Sequence, residues 1–366
     1  MLPLMLPLNW QRVRLGDILS YEQPTKYLVA TTQYLQKGFT PILTAGKTFT
    51  LGYTNDKHGI YTNIPVIIFD DFTTDSKMVN FPFKVKSSAI KILSLRDNNQ
   101  ADLKYIYEKL TLLKHQVTDH KRYWIDEFSN FEILLPPLNE QSAIANILSD
   151  LDRYLYALDA LILKKEGVKK ALSFELLSQR KRLKGFNQAW QRVRLGDILS
   201  YEQPTKYLVA TTQYLQKGFT PILTAGKTFT LGYTNDKHGI YTNIPVIIFD
   251  DFTTDSKMVN FPFKVKSSAI KILSLRDNNQ ADLKYIYEKL TLLKHQVTDH
   301  KRYWIDEFSN FEILLPPLNE QSAIANILSA LDNEIASLKN KKRQFENIKK
   351  ALNHDLMSAK IRVLEK

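Results

Sequence analysis

The chain changes character at LPPLNEQSAIA, residues 135–145, and the same segment recurs at residues 315–325. Proline fits neither a helix interior nor a central strand, so Pro136 and Pro137 close the domain that precedes them. No proline follows before residue 183, and only Gly167 lowers the helix propensity of that stretch. The segment therefore predicts a boundary between a compact domain and a long helix, twice in one chain.

The repeat extends far upstream of this boundary. Residues 10–149 and 190–329 are identical at an offset of 180 positions, and the identity ends where Asp150 meets Ala330. The segments that follow match only at scattered positions, such as Leu158 and Leu338. Identical domains beside helices that differ do not come from one recent duplication. Either the domain was copied between the two positions later, or the chain was built in this way.

The repeated domain has the sequence patterns of mixed α and β structure. Residues 65–69 form a short apolar run rich in β-branched side chains, which is typical of a strand. Residues 81–86 alternate apolar and polar side chains and lead into a second apolar run at 89–93. Between residues 101 and 117 the apolar side chains recur at helical spacing, which predicts one amphipathic helix.

The segments after the two boundaries carry an apolar stripe that advances by alternating steps of three and four residues. At about 1.5 Å per residue, each helix would run roughly 60 Å. A stripe of that length needs a partner in water, and the other helix is the nearest one. The positions predicted to pack between the helices are Ile144, Leu151, Leu158, Val168, Leu172, Leu331, Ile335, Leu338, Phe345 and Leu352.

Connectivity predicts the direction in which the helices pair. Gly185 is expected to cap the first helix, and only a few residues then lead into the second domain. The second helix must run back to bury its stripe, so the pair should be antiparallel, with a domain at each end of a coiled-coil rod and a pseudo-twofold axis between them. The predicted class is α+β, with two mixed α/β domains at 1–137 and 186–317 and long helices at 138–185 and 318–366.

Composition narrows the function classes. The net charge is +12, but each copy of the domain contributes only +2 and each helical segment +4, so the basic excess lies mainly in the helices. The absence of cysteine excludes disulfides and thiolate metal sites. No run of about 18 apolar residues occurs, and the apolar start lacks the basic residues of a signal peptide. We expect a soluble cytoplasmic protein with no membrane partner.

A search for catalytic residues leaves one cluster and no metal site. Residues 45–48, AGKT, resemble the end of a phosphate-binding loop, but Pro41 stands where that loop needs glycine. Asp70, Asp71, Asp75 and Lys77 are the residue types of a Mg²⁺-dependent nuclease. The carboxylates lie only four or five residues apart across an expected tight turn. This spacing favours a turn or a DNA-backbone contact over catalysis.

The loops of both domains are better suited to binding nucleic acid. Lysine and arginine contact phosphates, whereas asparagine and glutamine can form paired hydrogen bonds with base edges. The candidate DNA-binding residues are Tyr21, Gln23, Lys26, Lys47, Tyr53, Asn55, Lys57, His58, Lys77, Arg122 and Tyr123 in the first copy, and Lys206, Lys227, Asn235, Lys237, His238, Lys257, Arg302 and Tyr303 in the second.

Several motifs together resemble the specificity subunit of type I restriction–modification enzymes. They are WQRVRLGDI at 10–18, TPILTAGK at 40–47, FDDFTT at 69–74 and the boundary segment at 135–145. The resemblance covers nearly the whole chain, including its domain–helix–domain–helix order. It implies two target-recognition domains, each reading one half of a split DNA target, on helices that set the spacer and dock two methyltransferase subunits.

The resemblance also implies where the chemistry lies. The methyltransferase subunits would carry S-adenosylmethionine, and restriction–translocase subunits with ATP and Mg²⁺ would join them. The chain itself would be non-catalytic and hold no cofactor. Members of the family normally carry two different domains, whereas here the two are identical, so we expect a target that is an interrupted palindrome. Two alternatives stay open at this point, a stand-alone nuclease and a coiled-coil scaffold without a role on DNA.

Overall fold

The computed structural model describes residues 9–30, 32–46, 48–113, 122–210, 213–226, 228–293 and 302–363. The first copy of the repeat and its helix contain β1 (Gln11–Arg14), α1 (Leu15–Ile18), β2 (Leu19–Glu22), β3 (Thr40–Leu43), β4 (Thr50–Thr54), β5 (Val66–Asp70), β6 (Ser76–Val79), β7 (Lys84–Val85), β8 (Ile90–Leu95), α2 (Leu103–Leu112), α3 (Tyr123–Asp126), β9 (Glu132–Leu135) and α4 (Leu138–Leu177). The second contains β10 (Gln191–Arg194), α5 (Leu195–Ile198), β11 (Leu199–Glu202), β12 (Thr220–Leu223), β13 (Thr230–Thr234), β14 (Val246–Asp250), β15 (Ser256–Val259), β16 (Lys264–Val265), β17 (Ile270–Leu275), α6 (Leu283–Leu292), α7 (Tyr303–Asp306), β18 (Glu312–Leu315) and α8 (Leu318–Met357).

The chain divides into two compact units. The first comprises residues 1–159 and 340–366, and the second comprises residues 160–339. Each unit therefore contains one copy of the repeat together with half of α4 and half of α8. The α+β class expected from the sequence is confirmed, and so are the two long helices.

In the first unit, alternate side chains of one sheet build two separate cores. The sheet has the antiparallel order β2-β8-β5-β6. Ile67 and Phe69 of β5 join the core that contains the helices, whereas Val66 and Ile68 join a core with the second sheet, β4-β3-β7. Successive side chains of a strand point to opposite faces, so both faces of β5 are buried and its run is apolar throughout. The second unit repeats this arrangement.

The elements predicted inside the repeat differ from the structure at their ends. The first apolar run is β5, the alternating stretch at 81–86 contains β7, and the second apolar run lies in β8. Helix α2 ends at Leu112, because Leu113 turns to an extended conformation with ψ of 104°. The sequence pattern extends this helix to residue 117, and residues 114–117 lie outside the described residues.

Both long helices begin at the residue that follows the proline pair and span 40 residues. Helix α4 ends at Leu177, well before the glycine predicted to cap it, because Gln179 adopts a left-handed conformation with φ of 64°. Ala359 does the same after α8, with φ of 58°. No helix in the described part of the chain is both long and apolar enough to cross a membrane.

The helix segments within each unit run antiparallel, as the connectivity predicted. In the first unit Lys349 pairs with Asp152 at 2.6 Å and Lys342 pairs with Asp159 at 2.7 Å, so numbers rise along α8 as they fall along α4. The ring of Phe345 lies 4.6 Å from that of Tyr154 between these two ion pairs. In the second unit Lys169 contacts Asp332 and Lys165 contacts Glu334 in the same sense.

Most of the predicted stripe is covered, with one exception. Ile144, Leu158 and Ile335 are buried, and the partly buried members are Leu151, Leu172, Leu331, Leu338, Phe345 and Leu352. Val168, however, is 46% exposed. In the second half of α4 the inward positions are those of Ile162, Lys165 and Lys169, which leaves Val168 outside.

The boundary segment is a buried junction. The Trp10 indole donates to Glu140 at 3.1 Å, and Arg362, beyond the end of α8, donates to both oxygens of the same carboxylate. The Gln141 side chain is fully buried, accepts the Asp102 N–H at 2.9 Å and donates to the carbonyl of Pro136 at 2.8 Å. Since each buried polar group has a partner, the segment joins the domain to both long helices without leaving orphaned groups.

A buried lysine makes a further link between the domain and a helix end. The ammonium of Lys109 on α2 donates to the carbonyl of Met357 at the end of α8, at 2.5 Å, and Lys289 makes the equivalent bond to Leu177 at 2.7 Å. Burial lowers the pKa of both lysines to about 8. Desolvation disfavours the charged form of lysine, so the two buried ammonium groups destabilise the folded state. This penalty falls as the lysines lose their protons at higher pH.

Stability should therefore rise with pH over a defined window. Between pH 8 and 10 the unfolded chain binds more protons than the folded chain, because the folded-state pKa of Lys109 and Lys289 is the lower one. We expect a gain of roughly 1 kcal/mol per pH unit for each lysine. Thermal unfolding of the wild type and of K109M/K289M across this range measures it. The variant should lose the slope, and parallel curves for the two proteins would contradict the assignment.

Candidate nucleic-acid interface

The segment from residue 32 to 40, which we name the reading loop, pairs with strand β4 through Leu35. Leu35 and Tyr53 exchange both backbone hydrogen bonds, at 3.0 and 2.9 Å. Glycines permit this approach: a Cβ on Gly38 would lie 2.8 Å from the Cβ of Tyr53, and one on Gly52 would lie 2.8 Å from the Cβ of Tyr34. Larger residues at these two positions would push the loop off the strand.

Asn55 fixes the tip of the reading loop. Its side-chain oxygen accepts the backbone N–H of Phe39 at 3.2 Å. This oxygen, proposed from the sequence to read a base edge, therefore has a partner inside the protein. The Phe39 ring itself is 88% exposed. Sequence reasoning missed Phe39 because a lone aromatic residue in a loop carries no periodicity, although its position after Gly38 is a local signal of a turn.

The neighbouring loop at 55–59 is held by a buried lysine. Lys84 of β7 pairs with Asp56 at 2.5 Å and donates to the carbonyl of His58 at 2.7 Å. The hydrogen bond from Lys84 lowers the pKa of the Asp56 carboxyl, with a smaller contribution from the His58 N–H. The Asp56 carboxylate is therefore paired with Lys84, whereas the side chains of Lys57 and His58 are exposed. Lys84 was not among the residues singled out from the sequence.

The other residues that the sequence predicted to bind DNA lie beside these two loops or elsewhere on the domain. A Cβ on Gly59 would lie 2.8 Å from the carbonyl of Lys26, which places Lys26 beside the 55–59 loop. Tyr21, Gln23 and Arg122 are exposed, and Tyr53, which pairs with Leu35 of the reading loop, is half-buried. The ammonium of Lys77 lies 4.4 Å from the centre of the Phe49 ring. The second copy places Lys206, Asn235, Lys237, His238, Lys257 and Arg302 equivalently, and Lys47 and Lys227 lie outside the described residues.

Two predicted contacts are wrong. Tyr123 and Tyr303 are each 1% exposed and belong to the core that also contains Trp124 or Trp304. The sequence placed them with the basic and polar residues of the loops, next to exposed Arg122 and Arg302. They begin the short helices α3 and α7, which turn the tyrosine rings inward.

The acidic cluster holds turns and packs the core. Asp70 accepts the N–H groups of Phe72 at 2.8 Å and of Gly46 at 2.7 Å, together with the Thr73 hydroxyl. Asp71 pairs with Lys91 at 2.6 Å, with only 5% and 3% of their side chains exposed, and accepts the N–H of Trp124. The two carboxylates therefore have separate partners: Asp75 and Lys77 line a small pocket with Asp70, whereas Asp71 is turned into the core.

Among the described residues, no group of three or more histidine, aspartate or glutamate side chains is arranged to hold a metal ion. What the described surface of each domain offers is a pinned loop with an aromatic tip, a second loop with exposed Lys57 and His58, and Lys26 beside it. This combination suits a polyanion that also presents flat apolar groups, as nucleic acid does.

Comparison with known proteins identifies the family of this chain. Residues 7–165 and 187–347 each match the family described as "Type I restriction modification DNA specificity domain". The EcoR124I/EcoR124II specificity subunit of Escherichia coli is 50% identical over 152 residues, which cover 40% of this chain and 37% of that protein. The MjaVIII specificity subunit of Methanocaldococcus jannaschii is 24% identical over an alignment that covers 98% of this chain and 95% of that protein.

A solved structure shares the fold. The S subunit of the type I restriction–modification system of M. genitalium matches with a TM-score of 0.70 at 18% identity, over 96% of this chain and 98% of that one. The chain therefore belongs to the type I restriction–modification DNA specificity family. It carries the family's domain twice, and the two copies have the same sequence over residues 10–149 and 190–329.

The structural role of Asp71 can be tested by a matched pair of substitutions. D71N/D251N leaves Lys91 and Lys271 buried without their counter-charge, which costs about 3–5 kcal/mol for each unit. D75N/D255N makes the same change at positions outside the core and should shift stability by less than about 0.5 kcal/mol. Calorimetric unfolding of the three proteins provides the comparison. Equal stability of D71N/D251N and D75N/D255N would contradict the role assigned to Asp71.

Proposed function

We propose that this chain is a DNA specificity subunit that reads a split target and catalyses no reaction itself. Family membership over both copies of the domain is the observation that carries this proposal. The exposed lysines of the reading and 55–59 loops support it, because basic side chains supply the sequence-independent part of DNA binding. The acidic cluster gives little support to a nuclease, since Asp70 and Asp71 are engaged in turns and core packing.

Because the two domains have the same sequence, the symmetry of the DNA target can be inferred. Domains with the same residues make the same contacts, so both read the same bases. If the two domains are related by a twofold axis, as the connectivity predicts, the half-sites lie on opposite strands. We therefore propose an interrupted palindrome as the target.

The partners follow from the same proposal. We infer that two methyltransferase subunits dock on the long helices and supply S-adenosylmethionine for methylation of adenine. Restriction–translocase subunits, with ATP and Mg²⁺, would add cleavage. The specificity chain would contribute recognition and spacing only, in the bacterial or archaeal cytoplasm where its relatives' hosts keep their DNA.

The palindrome can be tested by mapping methylated adenines in cells that express the chain with its methyltransferase. We expect one motif, with two half-sites that are inverted copies of each other around a fixed spacer. A variant with the second domain replaced by that of an unrelated family member is the control, because it should give two unlike half-sites. Two unlike half-sites with the natural chain would refute the palindrome.

The absence of catalysis can be tested on the purified chain. Plasmid DNA incubated with the chain and Mg²⁺ should stay intact, and binding should weaken steeply as salt rises because phosphate contacts release counterions. D75N/D255N, which removes acidic-cluster carboxylates without the loss of stability expected of D71N/D251N, provides the check for any cleavage observed. Cleavage by the wild type that this variant lacks would favour the nuclease, and DNA binding that ignores salt or is absent with methyltransferase present would favour a scaffold.

A further inference from the structure

Phe39 and Phe219 are the most exposed large apolar side chains in the described part of the chain, at 88% and 89%. The other phenylalanines of the same domains include Phe69, Phe83 and Phe128, which are buried completely or almost so. Single exposed apolar residues are common on protein surfaces and need no special explanation. Phe39 differs from such residues because hydrogen bonds fix the backbone of its loop.

The backbone around Phe39 is fixed on three sides. The Leu35–Tyr53 hydrogen bonds hold the start of the reading loop, the Asn55 side chain holds the Phe39 N–H, and β3 begins at the next residue. In the second copy Asn235 holds the N–H of Phe219 at the same 3.2 Å. A ring presented from an immobilised backbone has already given up much of the entropy that binding would otherwise cost.

Both loops that meet at Asn55 carry exposed basic side chains. Lys37 precedes Phe39 by two residues and is exposed, and Lys57 and His58 follow the asparagine that holds the loop. The one carboxylate in that second loop, Asp56, is paired with the buried Lys84. The tip of the reading loop thus combines an exposed apolar ring with exposed lysines in the same two loops. It fits a ligand whose apolar groups lie beneath a layer of negative charge, which describes the base pairs of DNA.

We propose that Phe39 and Phe219 contact bases in the two half-sites, while the lysines beside them contact phosphates. This assignment rests on the proposed function and names where part of its specificity arises. The ring can reach two apolar surfaces of a base pair, the thymine methyl group in the major groove and the face of a base at an opened step. Asn55 and Asn235 are positioning residues, because they hold the loop tip from which each ring projects.

The test measures binding of the full chain, assembled with its methyltransferase subunits, to a duplex that carries the mapped target. F39A/F219A should weaken target binding by roughly tenfold for each ring, about 100-fold together. Binding to an unrelated duplex should change little. The slope of log affinity against log salt should not change, because the lysines that bind phosphates are all retained.

Two variants provide matched comparisons. F72A/F252A removes exposed phenylalanines from a turn outside the reading loop, where the rings are 52% and 53% exposed, and should leave target affinity unchanged. K57A/K237A should weaken binding to target and unrelated DNA alike and reduce the salt slope by about one for each lysine that binds a phosphate. Far-UV circular dichroism and melting temperature of F39A/F219A should match the wild type, because the removed rings are almost entirely exposed to solvent.

Replacing thymine by uracil in the half-sites distinguishes the two base surfaces. Removal of the methyl group should weaken binding by the wild type but not by F39A/F219A if the rings pack on thymine, since coupled contacts are not additive. If uracil has no effect while F39A/F219A binds weakly, the rings contact an opened base step. Both results support a base contact, and they separate its two forms.

Three results would overturn the assignment. F39A/F219A could bind the target as tightly as the wild type, or its affinity could fall equally on target and unrelated DNA. It could also fail to retain the methyltransferase subunits on co-purification, which would make the rings part of a protein interface. A wild-type complex that does not prefer its mapped target would instead refute the proposed function, and the assignment with it.

Discussion

The carboxylate of Glu140 joins three segments that lie far apart in the sequence, and the first unit depends on it. The Trp10 indole donates from the start of the domain, Arg362 donates from beyond the end of α8, and Glu140 itself stands in the first turn of α4. Glu320 does the same in the second unit, with Trp190 and Arg182. A buried carboxylate is tolerated only when its charge and hydrogen bonds are met, so the three segments must meet at this point for the unit to be stable.

The same contacts explain how identical domains fit beside helices that have diverged. Lys169 and Lys349 occupy equivalent positions and contact Glu288 and Glu108 of the domains, each at 3.2 Å. These helix positions still match between the two segments, as do the arginines that bind Glu140 and Glu320, whereas most of their neighbours differ. These charged positions that contact the domain are therefore shared by the two segments, although Asn353, which donates to Glu108, has Ser173 as its equivalent. A domain copied from one position to the other meets the same charged partners there.

Sequence patterns predicted elements well where burial follows a period. The run that became β5 is apolar at every position because both of its faces are covered, and the boundary segment gave the starts of α4 and α8 to within a residue. The predictions failed where side-chain direction depends on distant packing. Tyr123 points inward because α3 lies against the core, and Val168 is exposed because Ile162, Lys165 and Lys169 take the inward positions in that part of α4. Neither fact is contained in the residues nearby.

The amino-acid sequence by itself determined the repeat, the boundary between domain and helix, the family and the expectation that both domains read the same bases. These are properties of residue order and spacing, and they need no knowledge of contacts. Only the tertiary structure decided which polar residues face outward. From its chemistry, Asn55 was predicted to contact a base edge. In the structure its side-chain oxygen accepts the Phe39 N–H instead, and the Phe39 ring is exposed. Such roles depend on hydrogen bonds between residues distant in sequence, because a polar group that is bonded within the protein is no longer available to a ligand.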